Sequence, residues 1–385
     1  MYMPARILFG AGQLDLLHEQ KMPGKKAMIV ISNGKSTKTN GYLDRLVNQL
    51  GEMGIEYALF DRVEPNPLKS TVNAGGVFAR ENGCDFIIAF GGGSCMDAAK
   101  SIALMAVNDG DYWDYIPSGT GKGKPVVNKP LPLVAITTTA GTGSEADSGT
   151  VVTNEVTHEK TGFLHPDLYP VLSIVDPELM LSVPPVFTAY QGFDALFHSV
   201  EGYISNGTNL MSDMYALTAI ENISRYLPRA VADGSDLEAR ERVAFGNTLS
   251  GYVMCVGRCT SEHSLEHALS AYHQELPHGA GLIMISKAYF THLIDLHVAD
   301  DRFVRMARVM GMPEAREPMD FISALDRLQQ VCGVGDLKMS DYGITPDEFE
   351  KMAVNARETM GFLFQCDRSE LSIKDCVSIY EKSYK

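Results

Sequence analysis

From Lys26 onward the hydrophobic positions fall into short unbroken runs, separated by stretches with helical spacing. Ala27-Met-Ile-Val-Ile reads as a buried strand, and residues 41–51 as an amphipathic helix with Leu43, Leu46, Val47 and Leu50 on one face. A strand over 57–60, a helix over 70–81, a strand over 86–90, a helix over 95–107 and a strand over 133–136 continue the alternation. Pro4-Ala-Arg-Ile-Leu-Phe-Gly precedes them as a short strand. Strands alternating with helices predict a parallel, doubly wound sheet, which binds ligands at the carboxyl ends of its strands. After Pro184-Pro185 the strand signals fade. Helical spacing takes over in 211–227, 236–256, 280–297, 301–310, 318–331 and 346–356, with Gly234, Gly311 and Gly333 in the breaks. The prediction is an α/β doubly wound domain over 1–183 and an all-α domain over 184–385.

Three strand-to-helix turns carry candidate chemistry. Gly91-Gly92-Gly93-Ser94 follows the strand over 86–90. Its glycines let a ligand approach the backbone, and the next helix offers free N–H groups to a pyrophosphate. The same turn would serve structurally with Ser94 as N-cap. Thr137-Thr138-Thr139-Ala140-Gly141-Thr142-Gly143 follows the next strand, with hydroxyls and amides suited to phosphate and ribose oxygens. Ser32-Asn33-Gly34-Lys35-Ser36 follows the first sheet strand and is the candidate for reading the ribose. An acid there favours the 2′-hydroxyl of NAD and repels the 2′-phosphate of NADP. This turn has no acid.

The second half carries Asp194-Ala-Leu-Phe-His198 and His263-Ser-Leu-Glu-His267, the latter running on to Pro277-His278-Gly279. Residues four apart share a helix face, so Asp194 with His198, and His263 with His267, can each close on one ion. His278, just past a proline, enters from a turn or helix start. A carboxylate and three imidazoles suit a divalent metal such as Fe(II) or Zn(II) with room for an exogenous oxygen ligand.

A formal net charge of −15 argues against binding nucleic acid or an anionic membrane. The seven cysteines form no CxxC pair; Cys255 and Cys259, four apart near an apolar run, read as helix packing. No leader, lipidation motif or long apolar span is visible, and the expected location is the cytoplasm. A homodimer or higher homo-oligomer is the expected assembly.

The chain resembles the iron-dependent (group III) alcohol dehydrogenases along nearly its whole length. The matching stretches are Val63-Glu-Pro-Asn-Pro67, Gly91 through Lys100, Thr138 through Glu145, Gly192 through His198, and His263 through Gly279. The resemblance implies an N-terminal dinucleotide-binding domain, an all-helical C-terminal domain, and a metal and nicotinamide in the cleft between them. This is the architecture shared with dehydroquinate synthase. It implies Asp194, His198, His263 and His278 as metal ligands, with His267 close to the metal but outside its ligands; the ordinary range of a histidine pKa makes His267 the candidate proton carrier. In the matching stretches Asn66, Gly92, Gly93, Ser94, Asp97, Thr138, Thr139 and Thr142 become cofactor candidates, joined by Ser32, Asn33 and Ser36. Lys160 falls where the family directs a lysine at the ribose; by itself it reads as solvated loop. The implied activity is hydride transfer between a nicotinamide dinucleotide and a small alcohol or aldehyde, with Fe(II), or Zn(II) or another divalent metal, as Lewis acid.

Two departures from the family pattern matter. His267 and His278 stand one residue farther apart than usual, which makes His273 a rival ligand. The Ser32–Ser36 turn lacks the NAD-selecting aspartate and is similar to that of NADP-using, butanol-dehydrogenase-like members, so NADP(H) is expected over NAD(H). The rival functions are a Zn/NAD polyol enzyme like glycerol dehydrogenase, a dehydroquinate synthase, and a non-catalytic metal- or nucleotide-binding scaffold. Intact ligand and glycine motifs weigh against the last.

Overall fold

The apolar runs of the first half become one parallel sheet because their residues are buried on both faces. In the computed structural model, which describes residues 2–385, the strands are β1 (Ile7–Phe9), β2 (Lys26–Ser32), β3 (Glu56–Val63), β4 (Phe86–Gly91), β5 (Leu133–Thr137) and, after the hairpin strands β6 (Gly149–Asn154) and β7 (Glu159–Leu164), β8 (Leu172–Val175). The six-stranded sheet has the order β1-β8-β5-β4-β2-β3, every pair parallel. Its helices are α1 (Ser36–Thr39), α2 (Tyr42–Glu52), α3 (Lys69–Glu81) and α4 (Gly93–Met105).

Alternation along a strand separates the two layers. Met28, Val30, Ile87 and Ala89 join a cluster with Val72, Ala79, Ala99 and Ile102 of α3 and α4. Ala27, Ile29, Ile31, Ile88 and Phe90 face the other way, onto Leu46 and Leu50 of α2 and Leu14 and Leu17. Truncating one of these fully buried side chains, such as Ile29, to alanine would cost about 2–5 kcal/mol. The chain leaves β2 for β3 on one side and returns to β4 on the other. The strand order therefore reverses between β2 and β4, the position where open α/β sheets bind ligands.

Three features of this unit differ from the sequence reading. β8, a four-residue strand, was not anticipated; it fills the gap between β1 and β5. Residues 149–164, in which 157–161 read as a polar loop, form the antiparallel hairpin β6–β7. Ser94 is not the N-cap of α4: Gly92 holds that place in extended conformation, with no side-chain cap.

The second half is helical: α5 (Pro185–Ile204), α6 (Leu210–Ala232), α7 (Leu237–Val256), α8 (Ser261–Tyr272), α9 (His278–Asp295), α10 (Asp300–Val309), α11 (Met319–Val331), α12 (Phe349–Thr359), α13 (Gly361–Phe364) and α14 (Ile373–Ser383). Its boundaries have chemical causes. Asn209 closes a capping box with Ser212 at the start of α6, and Asp236 accepts from Ala239 N at the start of α7. Contrary to the expected stop at Leu227, α6 runs through Pro228 to Ala232. Among the described residues, no helix is long and apolar enough to cross a membrane.

Contacts divide the described chain into two compact units. One comprises Tyr2–Thr139 and Ser144–Ser182; the other comprises Val183–Lys385 together with Ala140–Gly143.

Candidate functional site

Three helices of the second unit bring the predicted ligands together. Asp194 and His198 lie one turn apart on α5, His263 and His267 one turn apart on α8, and His278 opens α9 after Pro277 at its N-cap. Asp194 Oδ1 is the hub: it lies 3.5 Å from His198 Nδ1, 3.5 Å from His263 Nε2 and 3.6 Å from His278 Nε2. The His198 and His263 rings stack with centroids 4.3 Å apart. These separations are too long for well-formed hydrogen bonds, and Asp194 Oδ1 and His263 Nε2 are buried with no such partner. A buried carboxylate oxygen and ring nitrogen left so are costly unless a cation accepts both. The donor set fits a divalent first-row metal.

The electrostatics point the same way. Burial would raise the Asp194 pKa, but His198, His278 and His263 together hold it well below the ordinary carboxylate range. Burial pushes His198 down to about 3, so it is a neutral imidazole with a lone pair to give. Burial also opposes charge on His263, yet Glu201 and Asp194 outweigh it and raise the pKa to about 10. A metal that takes His263 must displace that proton.

Sequence reasoning missed the residues behind the ligands. Glu201 of α5 accepts from His263 Nδ1, and its other oxygen accepts from Thr260 N at 2.7 Å and Thr260 Oγ1 at 2.9 Å. Glu266 of α8 accepts from His278 Nδ1. Both glutamates are fully buried. Their spacing, three residues after His198 and three after His263, was visible; their partners on other helices were not. Glu262 is also fully buried, and burial, then the neighbouring Glu201, raise its pKa well above the ordinary carboxylate range.

His267 joins Glu266 and His278 within 4.8 Å, while its Nδ1 lies 2.7 Å from the Met360 sulfur. His273, the rival ligand, lies outside the cluster, with Nε2 3.1 Å from Glu348 Oε2. The reading of Cys259 as helix packing needs correction. It stands beyond the end of α7, and its sulfur lies within 4.8 Å of ring nitrogens of His198 and His263. It packs with Met360 and Leu363, and burial raises its pKa well above normal, so it is a neutral thiol.

Two of the predicted cofactor turns stand at the β2/β4 reversal, one after β2 and one after β4. Ser32 ends β2, Asn33 N donates to Val63 O at 2.8 Å, and Ser36 opens α1. Lys35 is exposed and, among the described residues, forms no ion pair; Lys38 pairs with Asp61 of β3 at 2.5 Å. Gly92, Gly93 and Ser94 form the start of α4, whose first-turn N–H groups have no intrahelical acceptor and no acid beside them. A Cβ on Gly92 would come within 2.8 Å of Thr139 Cγ2, so the two turns are closely nested. Thr138 N donates to Gly91 O at 3.0 Å. Thr142 lies in the stretch assigned to the helical unit.

Two long-range pairings stand out. Lys160, on β7, is buried and donates from Nζ to Asn66 Oδ1 at 3.0 Å, far from the solvated loop that composition suggested. Asn66 adopts φ 51°, an uncommon conformation for a residue other than glycine and one that clusters at functional sites. Asp97 is turned into the protein: one oxygen accepts from Ser144 Oγ and the other from Val151 N, each at 2.9 Å. Beside it the fully buried Lys100 donates to Ser144 Oγ at 2.7 Å, and to Asp147 Oδ1 and Gly149 O at 2.8 Å.

With this geometry in place, comparisons with known proteins are informative. Residues 4–177 match the family model described as iron-containing alcohol dehydrogenase, and residues 188–384 the C-terminal domain of the Fe-containing alcohol dehydrogenase family. The 1,3-propanediol dehydrogenase of Klebsiella pneumoniae is 36% identical over 355 residues, covering 90% of this chain and 89% of that protein. The NAD-dependent methanol dehydrogenase of Bacillus methanolicus is 32% identical over 367 residues, covering 93% of each. A crystal structure of an archaeal halo-thermophilic alcohol dehydrogenase from a Red Sea brine pool superposes with a TM-score of 0.93 at 32% identity, covering 99% of this chain and 98% of that one.

Proposed function

The chain belongs to the iron-containing alcohol dehydrogenase family, and on that premise we propose that Asp194, His198, His263 and His278 hold its metal. The observation that carries this reading is the convergence of three ring nitrogens on Asp194 Oδ1, at 3.5–3.6 Å. Fe(II) is the metal the family favours, and Zn(II) or another divalent ion suits the same donors. Residues 1–183 bind the dinucleotide and residues 184–385 the metal and substrate. The reaction interconverts a small alcohol and its aldehyde. Relatives named for propanediol and methanol support that substrate class.

A bound divalent metal supplies Lewis acidity to the substrate oxygen, and a bound nicotinamide gives or takes the hydride. The chain's own residues do the rest. Asp194 offsets part of the cation's charge, and His198 offers a neutral ring. Gly92, Gly93 and Ser94 present backbone N–H groups to the pyrophosphate. Asn66 and Lys160 hold each other in position for the ribose, joined by Thr138, Thr139 and Thr142. His267 carries a proton at Nε2, with its Nδ1 against the weakly accepting Met360 thioether. Asp97 serves indirectly, because both its oxygens are engaged within the protein.

For the cofactor, we propose NADP(H) over NAD(H). Support comes from Ser32, Asn33 and Ser36 at the ribose-reading turn, from exposed Lys35, and from the neutralisation of nearby Asp61 by Lys38.

The test is turnover of NADPH or NADH with short aldehydes by metal-stripped protein, before and after addition of Fe(II) or Zn(II). Activity should return with metal. His198→Ala and His278→Ala should each lose stoichiometric metal and most of kcat while still binding dinucleotide. Full activity in either variant would refute the ligand assignment.

A further inference from the structure

An imidazole presents a ligand nitrogen reproducibly only if its other nitrogen is held, because either nitrogen can carry the proton and the ring can turn. In this protein two of the three candidate histidine ligands have that hold built in. His263 donates from Nδ1 to Glu201, and His278 donates from Nδ1 to Glu266. In both rings Nε2 is therefore the nitrogen aimed at Asp194 Oδ1, at 3.5 and 3.6 Å. His198 is arranged differently: the same Nδ1 lies 3.5 Å from Asp194 Oδ1 and 3.3 Å from Gly141 O, and no glutamate stands behind it.

The pairs also cross from helix to helix. Glu201 on α5 holds a histidine of α8, and Glu266 on α8 holds a histidine of α9. Glu201 is itself fixed by two donors from Thr260. Burying two carboxylates at full depth is expensive, and a surface-type ion pair would not justify it. A carboxylate behind each ring also makes the imidazole a better donor to a cation.

We propose that Glu201 and Glu266 are positioning residues for the metal centre, fixing His263 and His278 in the tautomer that presents Nε2 and raising the metal affinity of the site. The inference rests on reading Asp194, His198, His263 and His278 as metal ligands, and adds the residues that govern how tightly they bind.

The experiment uses the full chain, stripped of metal and titrated with Co(II) and Zn(II) against a chromophoric chelator. The Co(II) absorption spectrum is the second readout. Wild type should bind one ion per chain. Glu201→Ala and Glu266→Ala should weaken binding by about 10–100-fold and alter the Co(II) bands. Glu201→Gln and Glu266→Gln retain an acceptor oxygen, so they should weaken it less. They also serve if an alanine variant does not fold, as circular dichroism would reveal. Folded glutamine variants, or folded alanine variants, that bind within twofold of wild type with an unchanged Co(II) spectrum would overturn the proposal. A purely structural role would leave affinity and spectrum in place while lowering the melting temperature, and so overturns it too. A wild-type chain that takes up no metal would refute the underlying metal reading instead, and the wild-type titration distinguishes that failure.

Discussion

Lys100→Met is the most informative single substitution in the first unit. Methionine matches the length of the lysine stem but removes an ammonium that is fully buried and makes three hydrogen bonds of 2.7–2.8 Å. It leaves Asp97 and Asp147 buried without their cation. Breaking a buried pair in this way costs about 3–5 kcal/mol. At roughly 2–4 °C per kcal/mol for a unit of this size, the melting temperature should fall by about 6–20 °C. The loss should depend on pH. Burial raises the Asp97 pKa to about 7, with Lys100 pulling it down and Asp147 pushing it up. A carboxyl group whose folded pKa is raised contributes its full stability below the unfolded value, and that contribution is lost as pH rises through the folded value. Removing Lys100 raises the folded value further, so the gap between variant and wild type should widen from pH 5 to pH 8. Adding Asp97→Asn to Lys100→Met should restore part of the loss, and narrow the pH dependence. Scanning calorimetry of the two variants and wild type at both pH values measures this. A Lys100→Met protein melting within about 2 °C of wild type at pH 8 would refute the reasoning.

Other outcomes are expected at the site. His267→Ala should keep its metal but turn over more slowly with a shifted pH–rate profile; metal loss as complete as in His198→Ala would make His267 a ligand. Gly92→Val should raise the cofactor KM without metal loss, because a Cβ there meets Thr139 at 2.8 Å and overpacking costs about 1–3 kcal/mol; an unchanged KM would return the turn to a structural role. Side-by-side kcat/KM should favour NADPH by about ten- to a hundredfold, the equivalent of a charge-assisted contact of roughly 1.5–3 kcal/mol. Ser32→Asp should reverse that preference, and a wild-type preference for NADH would show that the acid-free turn was the wrong feature to read.

How much of this was legible in the sequence depended on the range of the interaction. Strands such as Ala27–Ile31 and the one-turn pairs Asp194/His198 and His263/His267 are written in local spacing, so periodicity located them. β8 is four residues long and carries no period to read. Lys160 looked solvated because its neighbours are polar; only the pairing of β6 with β7, and contact with Asn66, buries it. Glu201 and Glu266 lay in plain view at helical spacing, yet each acts on a histidine of another helix. The family resemblance supplied the proposed metal ligands but not the carboxylates behind them. Cys259 was misjudged even though the expected helix end at Val256 is where α7 stops: its spacing from Cys255 suggested a shared helix face, and its approach to His198 and His263 comes from other parts of the chain.

The assignment of Ala140–Gly143 to the helical unit bears on how this protein can be recombined. Within that unit Gly141 O faces His198 Nδ1, and Gly143 N donates to Asn247 Oδ1 at 2.9 Å. Gly143, at φ 62°, lies so close to Gly251 that a Cβ would be 2.6 Å from its backbone nitrogen. The polypeptide therefore passes between the units at 139/140, 143/144 and 182/183, and a single cut separates none of its parts cleanly. A fragment beginning at Val183 would lack the carbonyl facing His198. A chimera spliced there from two relatives would carry four residues of one parent inside the helical unit of the other. Exchange of halves is thus constrained at a loop well away from the splice, and a functional hybrid would need Ala140–Gly143 transferred with the helices.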